Sequence, residues 1–242
     1  MNDLMTRSMP RSMSAEAIAQ ENARFISGVY KWMTLGILCT ALMAFVTVSS
    51  PELLSLILMN KFVFIGLIIA EFGLVIYLNA AIKKMSSFRA TAVYLLYAAL
   101  TGLTLSVVLL VYTRESVVNA FLVTACSFAG LSLFGYVTKK DLGPIGTFCG
   151  MALWGLIGFA LLSFFIPSMM EGQFSVFYSA AGVLIFAGLT AYDTQKIKQL
   201  NIIGNEGTEE DHKETIHGAL VLYLDFINLF LMILRLTGSR RK

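Results

Sequence analysis

The sequence predicts an all-α membrane protein with seven transmembrane helices. The first observation is composition: 57% of the 242 residues are apolar and 14% are charged, whereas soluble domains are roughly a quarter charged. The second is a series of separate apolar stretches, each close to the ~20 residues that a helix needs to cross a bilayer. The third is the short polar connectors between them. A soluble fold would need charged surface that this chain lacks.

The first four apolar stretches occupy the N-terminal half of the chain. They cover residues 28–48, 62–82, 90–112 and 117–137. The first is followed by Ser49, Ser50 and Pro51, which are typical of a turn between helices. The connector after the second holds Lys83 and Lys84. Each stretch can therefore cross the membrane as one helix.

The last three apolar stretches cover residues 145–166, 174–192 and 217–236. The fifth span follows the sequence Asp-Leu-Gly-Pro at 141–144, and the sixth follows Pro167 and Gly172. Proline and glycine are the strongest signals that a helix stops or turns. Only one sizeable polar loop is predicted within the body of the chain, at 196–215, where three acidic residues adjoin one another at 209–211.

Lys and Arg residues set the predicted orientation, because cytoplasmic loops of membrane proteins are enriched in them. The side that holds the N-terminus carries Arg7, Arg11, Arg24, Lys83, Lys84, Arg89, Lys139, Lys140, Lys196, Lys198 and Lys213. The other side carries Lys61 and Arg114. The prediction is a polar cytoplasmic segment at 1–27, a transmembrane domain at 28–236 and a short basic tail at 237–242.

The basic tail conflicts with this orientation. Seven spans place the C-terminus opposite the N-terminus, yet the chain ends in Arg240, Arg241 and Lys242. Either the tail is a tolerated exception to the charge rule, or the seventh segment re-enters the membrane and returns to the cytoplasm. The sequence leaves both alternatives open.

Several function classes are disfavoured. The N-terminal residues contain no apolar core followed by a small-residue cleavage site, so no cleaved signal peptide is expected. Cys39, Cys126 and Cys149 all lie in apolar stretches without metal-ligand spacing, which argues against a disulfide framework or a zinc site. No nucleotide-binding or hydrolase motif occurs, so we expect neither an enzyme nor a cofactor. The net charge of +3 does not point to nucleic acid.

Asp193 and Asp225 are the most informative residues, because ionisable side chains at membrane depth are costly and rare. The sixth and seventh spans that carry them are joined by the polar loop, so the two carboxyl groups can reach the same depth. Two close carboxylates do not both ionise easily and tend to share a proton. Carboxylate oxygens also suit calcium, although calcium takes six to eight oxygens. In the simpler alternative, Asp193 contacts Lys196 and Asp225 hydrogen-bonds across the bundle.

Two further charged residues lie within apolar runs. Glu71 falls near the middle of the second span and Arg235 lies in the seventh. A carboxyl group at this depth must be protonated, paired or facing water, and Arg235 is the obvious partner for Glu71. This pair is either a structural clamp or a gating contact that breaks in one state.

Three segments resemble the Bax inhibitor (transmembrane Bax-inhibitor-motif) family, in particular its bacterial members. The strongest is AGLTAYDTQKIK at 187–198, which contains Asp193. A second, LYLDFINLFL at 222–231, contains Asp225 and resembles the family's last helix. The third, ALTGLTLS at 99–106, lies in the third span. With the spacing of the spans, the resemblance extends from about residue 28 to 235.

The resemblance implies a seven-helix bundle whose last helix is central and surrounded by the other six. It also implies a pH-sensitive calcium leak in a bacterial inner membrane, controlled by an aspartate pair that here matches Asp193 and Asp225. Glu71 and Arg235 match the family's acidic and arginine positions. A basic latch residue near the end of the second helix would be Lys83 or Lys84.

The resemblance leaves a second function open. Some bacterial relatives restrain a membrane-bound protease, so the alternative is a non-conducting regulator that binds such a partner. A proton-coupled transporter is a third option. The expected partners are the lipid bilayer, calcium or protons and, in the alternative, a membrane protease.

Overall fold

A computed structural model describes residues 14–170 and 172–241, and the described chain is built from helices. Eight α-helices are present: α1 Ala15–Ser49, α2 Pro51–Met59, α3 Lys61–Ala81, α4 Ser87–Val111, α5 Arg114–Val137, α6 Gly143–Phe165, α7 Gly172–Leu200 and α8 Glu209–Thr237. All except α2 are long and apolar enough to cross a membrane. The predicted fold class is thereby confirmed. Arg7, Arg11 and Lys242, which entered the charge argument, lie outside the described residues.

The connectors define two ends of the bundle. At the basic end lie the start of α1 and the connectors 82–86, 138–142 and 201–208. Side chains tie these segments together: Gln195 Nε2 donates to Lys140 O at 2.8 Å, and Ser87 N donates to Glu209 Oε1 at 2.7 Å. The opposite end holds the α4–α5 connector and residues 238–241, which also pair with each other.

α2 corrects the expectation of an irregular connector between the first two spans. Ser50 caps this helix, since its side chain accepts from Leu53 N, and Pro51 occupies the first turn. Proline is favoured there because its missing N–H would have no partner in any case. Leu56 and Met59 are exposed. The nine-residue helix is too short to span a bilayer and lies at the opposite end of the bundle.

The loop between α7 and α8 covers residues 201–208 and is shorter than the predicted 196–215. The acidic run at 209–211 forms the first turn of α8, where negative side chains are favoured by the helix dipole. Thr208 caps this turn by accepting from Asp211 N at 3.1 Å. α1 likewise begins at Ala15, well before the predicted span.

The early turns of α1 hold this loop in place. Arg24 Nε lies 2.8 Å from Glu206 Oε1, and Arg24 Nη2 lies 3.1 Å from Asp211 Oδ2. One turn earlier, Glu21 accepts from Gly204 N at 2.8 Å. The polar N-terminal extension of α1 therefore clamps the start of α8.

α8 is the central helix, as the family resemblance implies. In its most apolar stretch 61% of the residues are buried, compared with 6% in the span that begins at Lys61. α8 packs against α1, α4, α5 and α7, whereas α3 packs mainly on α4 and α6 mainly on α7. Four helices therefore enclose it, instead of the six expected.

Two glycines permit close packing around α8. A Cβ atom at Gly102 of α4 would overlap the Thr40 carbonyl and Met43 of α1. A Cβ at Gly135 of α5 would overlap the Ala191 carbonyl of α7. Small residues at helix interfaces bring backbones together in membranes. Gly135 thereby fixes the backbone of α7 two residues before Asp193.

The tail resolves the conflict over the seventh span. α8 runs without interruption from Glu209 to Thr237, and the chain does not turn back. Thr113 N donates to Ser239 O at 3.0 Å, and Arg241 N donates to Val111 O at 2.9 Å. Arg240 thus forms an antiparallel bridge with Tyr112. The described tail lies at the end of the bundle opposite the start of α1.

Candidate functional site: the Asp193–Asp225 pair

The site is formed where α7 crosses α8. Asp193 lies two turns before the end of α7 and is half-buried. Asp225 lies in the middle of α8 and is 5% exposed. Both helices continue past the site to the 201–208 loop. The pair therefore lies inside the bundle, not on the loop itself.

The structure brings the two carboxyl groups within reach of each other. An ionised carboxylate only accepts hydrogen bonds, so a hydrogen bond between them requires that one of the two groups carries a proton. With both groups ionised, the same contact would place two negative charges together in a medium of low dielectric constant. The geometry suits a pair that shares one proton.

Other polar groups nearby are occupied elsewhere. Asn228 Nδ2 donates to Leu224 O, and Thr190 Oγ1 donates to Phe186 O. Asp225 Oδ2 is buried, and no N–H or O–H donor from the described residues reaches it. Asp225 therefore depends on Asp193 as its partner.

Basic residues lie near the pair, but none of those described forms an ion pair with either aspartate. Lys196 acts electrostatically on Asp193, but its ammonium group lies over the Tyr192 ring, 5.4 Å from the centroid. Lys83 and Lys84, the expected latch positions, are exposed at the basic end. Among the described residues, the ion pairs shorter than 4 Å are the two made by Arg24. The expected latch contact is absent from this state of the described chain.

The pair supplies few ligands for a resident metal ion. Within residues 14–170 and 172–241, no cluster of three or more His, Cys, Asp or Glu side chains is suitably placed. Calcium requires six to eight oxygens. Two carboxyl groups suit transient contact with a passing cation better than permanent binding.

The expected pairing of Glu71 with Arg235 is wrong for this structure. Glu71 Oε1 accepts from Thr104 Oγ1 at 2.9 Å. Arg235 lies near the opposite end of the bundle, 5.4 Å from the centroid of the Tyr178 ring, and donates to Met170 Sδ at 3.6 Å. The two charges sit at different depths, because Glu71 is midway along α3 and Arg235 is almost at the end of α8.

A second polar centre lies on the other side of α8 and was not predicted. The hydroxyl groups of Tyr223 and Thr40 are 2.6 Å apart, and Thr40 Oγ1 donates to Ala98 O at 2.7 Å. Tyr94 and Tyr97 pack edge-on against the Tyr223 ring. The sequence signal was the presence of Tyr and Thr within three different apolar spans.

Comparison with known proteins agrees with this architecture. The family model described as "Inhibitor of apoptosis-promoting Bax1" matches residues 22–242. The chain belongs to the Bax inhibitor family. The match includes the last six described spans, most of the first and both aspartates of the site.

Relatives of this family member occur in distant bacteria. The inner membrane protein YbhL of Escherichia coli K12 is 45% identical over 237 residues, covering 96% of this chain and all of the relative. An uncharacterised protein of Borreliella burgdorferi is 40% identical, covering 90% of this chain and 93% of its own length. One from Deinococcus radiodurans is 38% identical over 237 residues, covering 96% of this chain and all of the relative. The described protein is thus a multi-pass membrane protein whose relatives share its full length.

Proposed function

We propose that this family member is a pH-sensitive calcium leak of the bacterial inner membrane, controlled by the Asp193–Asp225 pair. The observation that carries the proposal is the close approach of two carboxyl groups, one of them buried, between the central helix α8 and its neighbour α7. The activity is passive transport, not catalysis. The location follows the name of the Escherichia coli relative, an inner membrane protein.

The proton count of the pair acts as the switch. With one proton, the carboxyl groups hold α7 against α8 through their hydrogen bond. When the pH rises and that proton leaves, two adjacent negative charges repel each other and the contact is lost. No N–H or O–H donor from the described residues reaches Asp225 Oδ2 to stabilise its charge. Deprotonation therefore separates the helices at the site.

The ionised pair also attracts a divalent cation. Two carboxylates in a low-dielectric site hold a calcium ion electrostatically, and water or backbone carbonyls complete its shell. Because the protein supplies few ligands, the ion leaves as readily as it enters. Conduction needs this balance between entry and release.

The orientation of the bundle in the membrane would expose the aspartate pair to the pH of the cytoplasm. The connectors 82–86 and 138–142 carry Lys83, Lys84, Lys139 and Lys140, and such residues favour the cytoplasmic side. The N-terminus then lies in the cytoplasm, and the pair lies nearer that side by way of the 201–208 loop.

Calcium flux into proteoliposomes loaded with a calcium dye tests the proposal. The pH is varied between about 5 and 8, the range in which buried carboxyl pairs exchange their shared proton. Flux through the wild-type protein should rise with pH, and the doubly substituted Asp193→Asn, Asp225→Asn protein should lose this dependence. Glu210→Gln, an exposed acid at the start of α8, is the matched control. Equal flux in all three proteins at every pH would sink the proposal.

A second experiment, made in the native membrane, tests the alternative function of a non-conducting regulator. Crosslinking in the native membrane identifies proteins bound to the chain. If a membrane protease is crosslinked to the chain in stoichiometric amount, and pure liposomes show no calcium flux, the protein is a non-conducting regulator and not a leak.

A further inference from the structure

An apolar groove runs between α1 and α5. Its floor is formed by the buried rings of Phe128 and Phe226, which are each 4% exposed. Its lips carry Leu38 and Leu133, which are 59% and 62% exposed. α1 and α5 do not pack closely here, and the small side chain of Ala129 leaves the space between them unfilled. The groove therefore opens toward the surrounding lipid.

The dimensions of the groove fit a single hydrocarbon chain. It follows α1 from Ala23 to Leu38, about 22 Å at 1.5 Å per residue. That length exceeds half of the ~30 Å hydrocarbon core of a bilayer, so a chain from one leaflet fits lengthwise. The cavity volume is about 680 Å³. A helix ~10 Å across and equally long would fill roughly 1,700 Å³, which is far more than the groove holds.

The basic end of the groove suits a lipid headgroup. Tyr136 lines the groove at this end, and tyrosines concentrate where a membrane meets water. Lys198 lies beside Tyr136: its ammonium nitrogen is 4.5 Å from the ring centroid and donates to Tyr136 O at 3.0 Å. A lysine ammonium has three donors, so two remain for a phosphate group.

We propose that the α1–α5 groove binds one acyl chain of a membrane phospholipid, whose phosphate contacts Lys198. The groove supplies the apolar surface, and the lysine supplies the complementary charge at headgroup level. Phosphate is common to all phospholipids, so the site selects for a phosphate headgroup and a hydrocarbon chain.

The bound chain would lie directly behind the aspartate pair. Phe226, in the floor of the groove, follows Asp225 on α8. Ser132, which also lines the groove, has its hydroxyl 3.4 Å from that of Thr194, the neighbour of Asp193. An acyl chain in the groove therefore supports α8 at the level of the site.

Native mass spectrometry of the full chain, released from native membranes in mild detergent, tests binding. The wild-type protein should retain one phospholipid mass per chain. Ala129→Phe fills the groove and should lose that mass, whereas Ser127→Phe, at an exposed position of α5 outside the groove, should retain it. Lys198→Gln should lower retention without filling the groove, which keeps the test decisive should Ala129→Phe fail to fold. Equal retention in all four proteins would overturn the proposal.

Photocrosslinking locates the lipid. Wild-type protein is placed in phosphatidylcholine vesicles that contain phosphatidylglycerol with a diazirine in one acyl chain. Labelling should concentrate on α1 and α5 residues of the groove and spare Trp154, which is 75% exposed on α6. A diacylglycerol with the same photoreactive chain should label the groove less, because it lacks the phosphate. Uniform labelling, or equal labelling by the diacylglycerol, would overturn the proposal.

Discussion

Tyr223 and Asp225 are two residues apart on α8 and point to opposite sides of it. Tyr223 is hydrogen-bonded to Thr40 of α1, whereas Asp225 contacts Asp193 of α7. Successive residues of an α-helix are rotated by about 100°. Side chains two residues apart are therefore separated by about 200° and lie on opposite faces of the helix. The central helix therefore joins two separate polar centres, one made of hydroxyl groups and one of carboxyl groups.

The carboxyl centre predicts how stability depends on pH. The folded protein holds a shared proton that the separated aspartates release, so it binds more protons than the unfolded chain and its free energy of unfolding falls as pH rises. In thermal unfolding between about pH 5 and 8, Tm of the wild-type protein should fall with pH. Asp225→Asn should flatten this slope, because its amide donates to Asp193 without a titrating proton. A slope unchanged by Asp225→Asn but removed by Glu210→Gln would contradict the assignment.

The hydroxyl centre predicts an asymmetry between its two members. Thr40 Oγ1 gives its proton to Ala98 O, so the Tyr223 hydroxyl is the donor in the contact with Thr40. Tyr223→Phe should remove one hydrogen bond and lower the free energy of unfolding by about 1 kcal/mol. Thr40→Val leaves the buried Tyr223 hydroxyl without this acceptor and should cost more, about 1–3 kcal/mol. Unfolding in mixed micelles measures both, and an equal loss would contradict the direction of donation.

Gly135 predicts a steric effect next to the site. Alanine at this position would press its Cβ into the Ala191 carbonyl and push α7 away from α5. Gly135→Ala should lower Tm and alter calcium flux. Gly130→Ala on the same helix meets nothing within 4 Å and should be neutral or stabilising, because alanine favours helix by up to ~1 kcal/mol. The same Tm for both variants would rule out the close approach.

The ion pairs of Arg24 are expected to limit the mobility of the 201–208 loop. Arg24→Gln removes both ion pairs, to Glu206 and Asp211, so the loop should be cleaved faster by a protease added at the basic end. The global Tm should change little, since partly exposed ion pairs contribute about 0–1 kcal/mol. Lys31→Gln, an exposed lysine on the same helix, is the control. Unchanged cleavage of the loop would show that Arg24 does not hold it.

The position of the tail predicts the sidedness of the C-terminus. Lys139→Cys and Ser239→Cys, each made in a protein whose three native cysteines are replaced by serine, lie at the basic end and the opposite end, respectively. A membrane-impermeant thiol reagent should label them from different sides of inverted and right-side-out vesicles. Labelling of both from one side would contradict the continuous α8.

The seven spans could be predicted from the sequence because apolar length is a local property of the chain. The polar helix ends could not be predicted in this way. The early turns of α1 and the last turns of α7 depend on distant partners, such as Asp211 for Arg24 and Lys140 for Gln195. α2 was missed because its nine residues are too few for a span and follow a proline that indicates a turn.

The sequence also located the aspartates at a shared depth, and the structure places them in contact. The same reasoning failed for Glu71 and Arg235, because two charges in apolar runs pair only when their helices bring them to one level. A small neutral group, Thr104 Oγ1, satisfies Glu71 instead. Such hydroxyl partners are hard to predict, since threonine is common in membrane helices and carries no charge to mark it.

The tail contact has a consequence for motion. α8 is fastened at its start by the network around Arg24 and at its finish by the backbone pairing of residues 239–241 with the α4–α5 connector. A helix that is held at both ends neither slides along its axis nor tilts freely. α7, by contrast, begins at Gly172, which has a positive φ of 57°, after the turn at 167–170. When the aspartate contact breaks, α7 is therefore expected to move relative to α8, which stays fixed at both ends.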